Sequence, residues 1–190
     1  MRRIVQAASK IAQGHQDEQL LFCKACGASV GLIDVDTQGY RLLKHALAVS
    51  GAAGYNQHAF DEAKWISCRL LTSQASQGVN KFVLRCRSDQ IKPLYIWIFT
   101  PDLAISSSTT AKFGPLRVMR IYWKDVPHDH DNSRLDAQGL SEGELEVPSF
   151  ELEMLRACLE ESAKILPQNV LRLPGWQVGL LERFCVSDVA

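Results

Sequence analysis

Pro93-Leu94-Tyr95-Ile96-Trp97-Ile98-Phe99-Thr100 is apolar at every position between its two ends. Alternation along a strand sends Leu94, Ile96 and Ile98 to one side and Tyr95, Trp97 and Phe99 to the other, whereas a half-exposed strand would show a polar residue at every second place. The run therefore predicts a central strand over 94–100 with both faces buried. A helix is the competing reading. Eight residues is short for one, aromatic and β-branched side chains suit a pleated surface, and Pro93 and Pro101 bracket the segment.

Strands are expected on either side of it. Lys81 to Arg87 alternates, with Phe82, Leu84 and Cys86 on one face and Lys81, Val83, Arg85 and Arg87 on the other, so 81–87 and 94–100 predict an antiparallel hairpin. Arg117 to Lys124 alternates again, with Met119, Ile121 and Trp123 opposite Val118, Arg120, Tyr122 and Lys124. Two segments carry the helical period instead. Phe60, Ala63, Ile66, Ser67, Leu70 and Leu71 form a stripe that ends near Ser73, with Asp61 and Glu62 at the positive end of the dipole. Leu152, Leu155, Leu159, Ala163 and Leu166 form a second, opened by Ser149 as N-cap and closed by Pro167. Tyr40 to Val49 reads as a strand in preference to a helix, and Leu173 to Phe184 as a closing apolar segment whose two glycines, Gly175 and Gly179, permit close backbone approach. The sum is an α+β domain: an antiparallel sheet around a central buried strand, with helices near 60–73 and 149–166 packed on it.

The chain has 190 residues, enough to bury a core without covalent staples, and reads as a single domain over 21–190 preceded by an N-terminal segment, 1–20. Ile4, Val5, Ala8, Ile11 and Ala12 give that segment an amphipathic helical stripe, with Arg2, Arg3 and Lys10 among them. A mitochondrial presequence has a similar look, but the stretch is brief and poor in serine, so a chain that begins part-way through a longer architecture is the preferred expectation. The 21 basic and 21 acidic side chains cancel, which argues against a nucleic-acid or membrane-surface partner. No run reaches the roughly 20 apolar residues of a membrane-spanning helix, and the first residues lack the apolar segment of a secretory signal. A soluble protein in a reducing compartment is expected.

Leu21-Phe22-Cys23-Lys24-Ala25-Cys26-Gly27 places two cysteines two residues apart before a predicted strand, Ser29 to Ile33. Such a pair can hold one metal ion from a tight turn, with a glycine after the second allowing backbone amides to approach the thiolates; it is half of a zinc site. An inert turn and a redox pair are the other readings, and no second pair at that spacing occurs in the chain. Cys86 and Cys158 read as packed, and Cys68 as mid-helix. Cys185 follows Arg183 and Phe184 near the terminus and is read as incidental. His128 and His130 sit among aspartates in a polar segment with no helix or strand to arrange them, so a solvated loop is expected there instead of a metal site.

Cys23-Lys24-Ala25-Cys26-Gly27 with Gly31, Trp97-Ile98-Phe99 before Asp102-Leu103, Val118 to Lys124, Leu145-Glu146-Val147-Pro148, Leu159, Ser162, Leu166-Pro167 and Trp176-Gln177-Val178-Gly179-Leu180-Leu181 follow one another in an order that is familiar. In that order the chain resembles the HECT-like family of proteins that bind ubiquitin-conjugating enzymes. The likeness runs from about Leu21 to Phe184 and corresponds to the C-terminal half of that family's usual architecture.

The resemblance implies a ubiquitin ligase (a transferase), or an adaptor that recruits a charged conjugating enzyme, found in cytoplasm and nucleus. For some members it also implies links to the machinery that cleaves and polyadenylates pre-mRNA, and hence a non-enzymatic scaffold as the alternative. It further implies that a cysteine pair in the other half of the architecture completes a four-cysteine zinc site with Cys23 and Cys26. A HECT ligase carries ubiquitin on a thiolate that follows a Leu-Pro segment and a threonine, yet Leu166-Pro167 is followed here by Gln168, Asn169, Val170 and Leu171. Thioester exchange needs an accessible cysteine with a lowered pKa. With none of the six cysteines reading so, ubiquitin transfer is expected to be promoted by positioning, through proximity and orientation.

Overall fold

A computed structural model describes residues 20–34, 36–47, 61–87, 90–106, 115–126, 142–167, 173–185 and 188. The chain divides into two compact units, Met1–Glu62 and Ala63–Ala190. The N-terminal stripe at residues 1–16, His128 and His130, and the segment 168–171 lie outside the described residues.

The first unit contains a three-stranded antiparallel sheet in the order β1 (Leu20–Phe22), β2 (Ser29–Asp34), β3 (Gly39–Leu42). Gly31 sits where a side chain has no room: a Cβ there would stand 2.6 Å from the Arg41 carbonyl oxygen on the neighbouring strand. The β2–β3 turn is tied by Asp34, which accepts from the Thr37 amide at 3.3 Å and pairs with Arg41 at 3.0 Å. The strand expected over 40–49 stops at Leu42. A short 3-10 turn, Lys44–Ala46, follows it, and residues 48–49 lie outside the description.

The second unit holds five strands in the order β7-β4-β5-β6-β8, with β4 Lys81–Arg85, β5 Leu94–Ile105, β6 Leu116–Asp125, β7 Glu142–Glu146 and β8 Gln177–Glu182. The strand expected at 94–100 is the middle one. It pairs antiparallel with β4 as the expected hairpin, Trp97 facing Lys81 and Leu94 facing Leu84, and antiparallel with β6 on its other side. Only the edge departs from an antiparallel sheet: β7 runs parallel to β4, which makes the sheet mixed. Its sequence, Glu-Gly-Glu-Leu-Glu, lacks the apolar alternation that reveals a strand. β5 also continues past Pro101, where its pairing with β6 shifts register around Thr100. An irregularity of this kind is how a strand accommodates a residue with no amide hydrogen.

Both helices lie on one face. α1 (Glu62–Gln77) buries Ala63, Ile66, Ser67 and Leu70, and α2 (Ser149–Ala163) buries Leu152, Leu155 and Leu159. They meet Phe82, Leu84, Leu94, Ile96, Ile98, Met119, Ile121 and Trp123 in a single core. α1 runs a turn beyond Ser73 and ends at Gly78, whose φ of +68° suits glycine and whose amide donates to Gln74 O at 2.9 Å. Pro148, not Ser149, occupies the cap position of α2, and Ser149 is buried as its first residue. Proline suits this entrance because its missing amide hydrogen is not needed there. Ser162 near the end of α2 accepts from the Leu180 amide at 2.7 Å, which satisfies a donor on the outer edge of β8.

Candidate functional site

The Cys23 turn is the β1–β2 connection. Gly27 takes a φ of +72°, its amide donates to the Cys23 carbonyl at 2.8 Å, and the Cys23 amide donates across to Ala28 O at 2.7 Å. This closes the loop so that amides of the turn aim at sulfur. The Cys26 amide, then the Ala25 amide, then the Cys26 thiol hold the Cys23 thiol below its ordinary pKa. Stabilised thiolate on a turn of two intervening residues is the donor chemistry that zinc requires, so these two cysteines fit half of a tetrahedral site. Among the described residues no group of three or more His, Cys, Asp or Glu side chains gathers to hold a metal.

The other thiols are placed differently. Cys86 and Cys158 pack partly buried against the core, and Cys158 Sγ lies 3.3 Å from Met154 Sδ. Cys68 is exposed on α1. The Cys185 Sγ donates to Asp188 Oδ2 at 3.2 Å, and the same carboxylate takes the Cys185 amide at 2.8 Å and Lys64 Nζ at 2.8 Å. The terminus is thus clasped to α1, with Phe184 edge-on to Trp65 at 5.0 Å.

A second feature lies on the face of the five-stranded sheet away from the helices. Tyr95 is buried there, but Trp97 is only half-buried and Phe99 is 45% exposed, so the expectation that both faces of β5 are buried holds for one face alone. Among the described residues no layer covers them; these rings pack on one another and on Tyr122 of β6 and Trp176. Trp97 is 5.2 Å from Phe99, 5.5 Å from Tyr122 and 6.1 Å from Trp176, and Phe99 is 5.1 Å from Tyr122. Cations cover the rings. The Arg120 guanidinium lies 4.5 Å from the Phe99 centroid, Lys81 Nζ 5.4 Å from Trp97, and Lys124 Nζ 4.7 Å from Trp176 and 5.4 Å from Tyr95.

Strand register makes this cluster, since Lys81 is opposite Trp97, Trp97 opposite Tyr122 and Tyr95 opposite Lys124. The sequence carried a signal for it. Arg120, Tyr122 and Lys124 share one alternation and Tyr95, Trp97 and Phe99 another, but reading the second as core hid the pairing of aromatic with cation.

The chain matches the family model described as HECT-like ubiquitin-conjugating enzyme (E2)-binding over residues 2–178. No curated protein and no solved structure gives a match. With the match covering nearly all of the sequence, the chain belongs to the HECT-like family of ubiquitin-conjugating-enzyme-binding proteins.

Proposed function

We propose that the protein binds a ubiquitin-conjugating enzyme and promotes ubiquitin transfer by holding the loaded enzyme in a productive pose, without taking ubiquitin onto its own sulfur. Family membership supports the binding. The placement of the six thiols carries the second half. Two are packed against the core, one stands exposed on a helix, and one donates its proton to a carboxylate. The remaining pair shares a turn whose amides stabilise thiolate in a ligand geometry. Cys185 stands beside a carboxylate, but Asp188 is also engaged by Lys64 and by the Cys185 amide, and the lowered pKa of Cys23 comes from turn amides that suit a metal ligand, so the thiols favour structural and ligand roles over carrying ubiquitin. Orientation of a thioester against an incoming amine supplies rate without any covalent step on the adaptor. Cys23 and Cys26 would supply two of the four ligands of a structural zinc, and its chemistry there would be to fix the β1–β2 turn.

The test is single-turnover discharge of a ubiquitin-loaded conjugating enzyme to free lysine. Faster discharge with no reductant-sensitive ubiquitin adduct on this chain is the expected result. An adduct that disappears in a Cys23→Ala or Cys185→Ala variant would overturn the positioning mechanism. Binding without faster discharge would leave a non-enzymatic scaffold, the role in which it would grip a partner complex such as the pre-mRNA 3′-end machinery.

A further inference from the structure

We propose that the partner docks on the aromatic face of the five-stranded sheet, around Trp97, Phe99 and Tyr122, and that it presents there an acidic protein surface: carboxylates set around an apolar anchor. The inference rests on the conjugating-enzyme reading above and adds to it the place and the chemistry of contact.

Charge complementarity selects the occupant. Elsewhere in this unit most of the described basic side chains end on carboxylates, among them Lys64 on Asp188, Arg69 on Glu151, Arg85 on Glu144, Arg87 on Glu146, Arg117 on Asp102 and Arg156 on Asp125. Lys81, Arg120 and Lys124 instead rest on rings. Among the described residues no carboxylate bonds to any of these three, and Arg120 Nε is buried with no hydrogen-bond partner. A guanidinium held over an aromatic ring at this distance has lost part of its hydration and part of its side-chain freedom. An arriving carboxylate therefore forms a charge-assisted bond with little reorganisation. Trp, Tyr and Arg are also the side chains in which interface binding energy concentrates, and partly exposed rings between the cations offer an apolar anchor its seat.

The same geometry argues against a nucleic-acid strand. The cations occupy ring faces on which bases would stack, and the Trp97–Phe99 and Phe99–Tyr122 pairs meet edge to face at 82° and 89°. Register puts Glu142 opposite Lys81, and the Tyr95 hydroxyl donates to it, so a carboxylate bounds the positive patch on the β7 side and leaves no continuous basic track for a phosphate backbone. The positive patch is bounded, as a compact acidic protein surface requires.

A panel of purified ubiquitin-conjugating enzymes is titrated by fluorescence anisotropy into the full chain and into two variants, Arg120→Glu/Lys124→Glu and the charge-neutral Arg120→Gln/Lys124→Gln, each checked by circular dichroism and thermal melting. Lys164→Glu at the C-terminal cap of α2 is the control. At least one enzyme is expected to bind wild type, with affinity falling about tenfold or more in the reversed variant. The neutral variant loses less, both losses shrink at high salt, and acid-to-lysine changes on the bound enzyme restore the reversed variant. Equal binding by wild type and both folded variants overturns this inference and leaves the conjugating-enzyme reading standing. No binding by any enzyme to folded wild type overturns both. Tight, salt-sensitive binding of a single-stranded oligouridine that is lost in the same variants, with conjugating-enzyme binding unchanged, would assign the face to nucleic acid.

Discussion

Gly179 of β8 lies directly against Leu159 of α2: a Cβ built on Gly179 would stand 2.7 Å from the Leu159 carbonyl oxygen and 2.9 Å from its Cα. Neither obstacle is the far end of a flexible side chain. Gly179→Ala must therefore push α2 off the sheet, and overpacking of this kind costs about 1–3 kcal/mol. Chemical denaturation should show the lost stability as a lower midpoint at unchanged slope. Ser162→Ala, which strands the Leu180 amide at the same contact, should cost about 1 kcal/mol.

Asp188 gives stability a dependence on acid. Burial raises its pKa, but bonds from Lys64 and from the Cys185 amide and thiol outweigh burial and bring it from 3.8 down to about 2. A folded-state value below the unfolded one means the contribution is complete above about pH 3.8 and is lost as pH falls toward about 2. Partial exposure of the pair screens it, so the gain is smaller than the shift alone would give. Asp188→Asn should flatten this part of the stability profile. Melting temperatures of the two proteins should differ at pH 6 and converge near pH 2.

Arg69 and Glu151 join α1 to the first turn of α2, and the Glu151 side chain is only 10% exposed. Arg69→Met would leave that carboxylate nearly buried with its cation gone, at a cost of about 1–3 kcal/mol. Adding Glu151→Gln should return part of the loss, because a neutral amide is cheaper to bury than a carboxylate. A double-mutant cycle by urea denaturation measures the coupling.

For the Cys23 turn, zinc that native mass spectrometry finds on the chain should depend on this half-site and be removed by a strong chelator. Cys23→Ser or Cys26→Ser should abolish it. Gly27→Ala should weaken it while keeping both thiolates, since a side chain is strained at a φ of +72°. Chains of twice the monomer mass that share one zinc would instead show a site completed between copies.

The α+β class, the middle place of 94–100, its hairpin with β4, both helices and the family are legible in the residues alone, because each rests on local information: periods of two and of 3.6, and the order of motifs along the chain. So is the Cys23 turn, whose thiolate-stabilising amides come from the very next residues. The rest depends on contacts between elements far apart in the chain. β7, spelled Glu-Gly-Glu-Leu-Glu, becomes a strand because β4 offers it a parallel partner, and β5 passes Pro101 because an irregular pairing absorbs the missing donor. Trp97 and Phe99 looked like core since hydrophobicity reports a preference for burial without saying what is available to bury it. The register of β4, β5 and β6 placed Lys81, Tyr122 and Lys124 beside those rings, with Arg120 lying over Phe99, and turned an apparent second core into a half-open aromatic face held by cations.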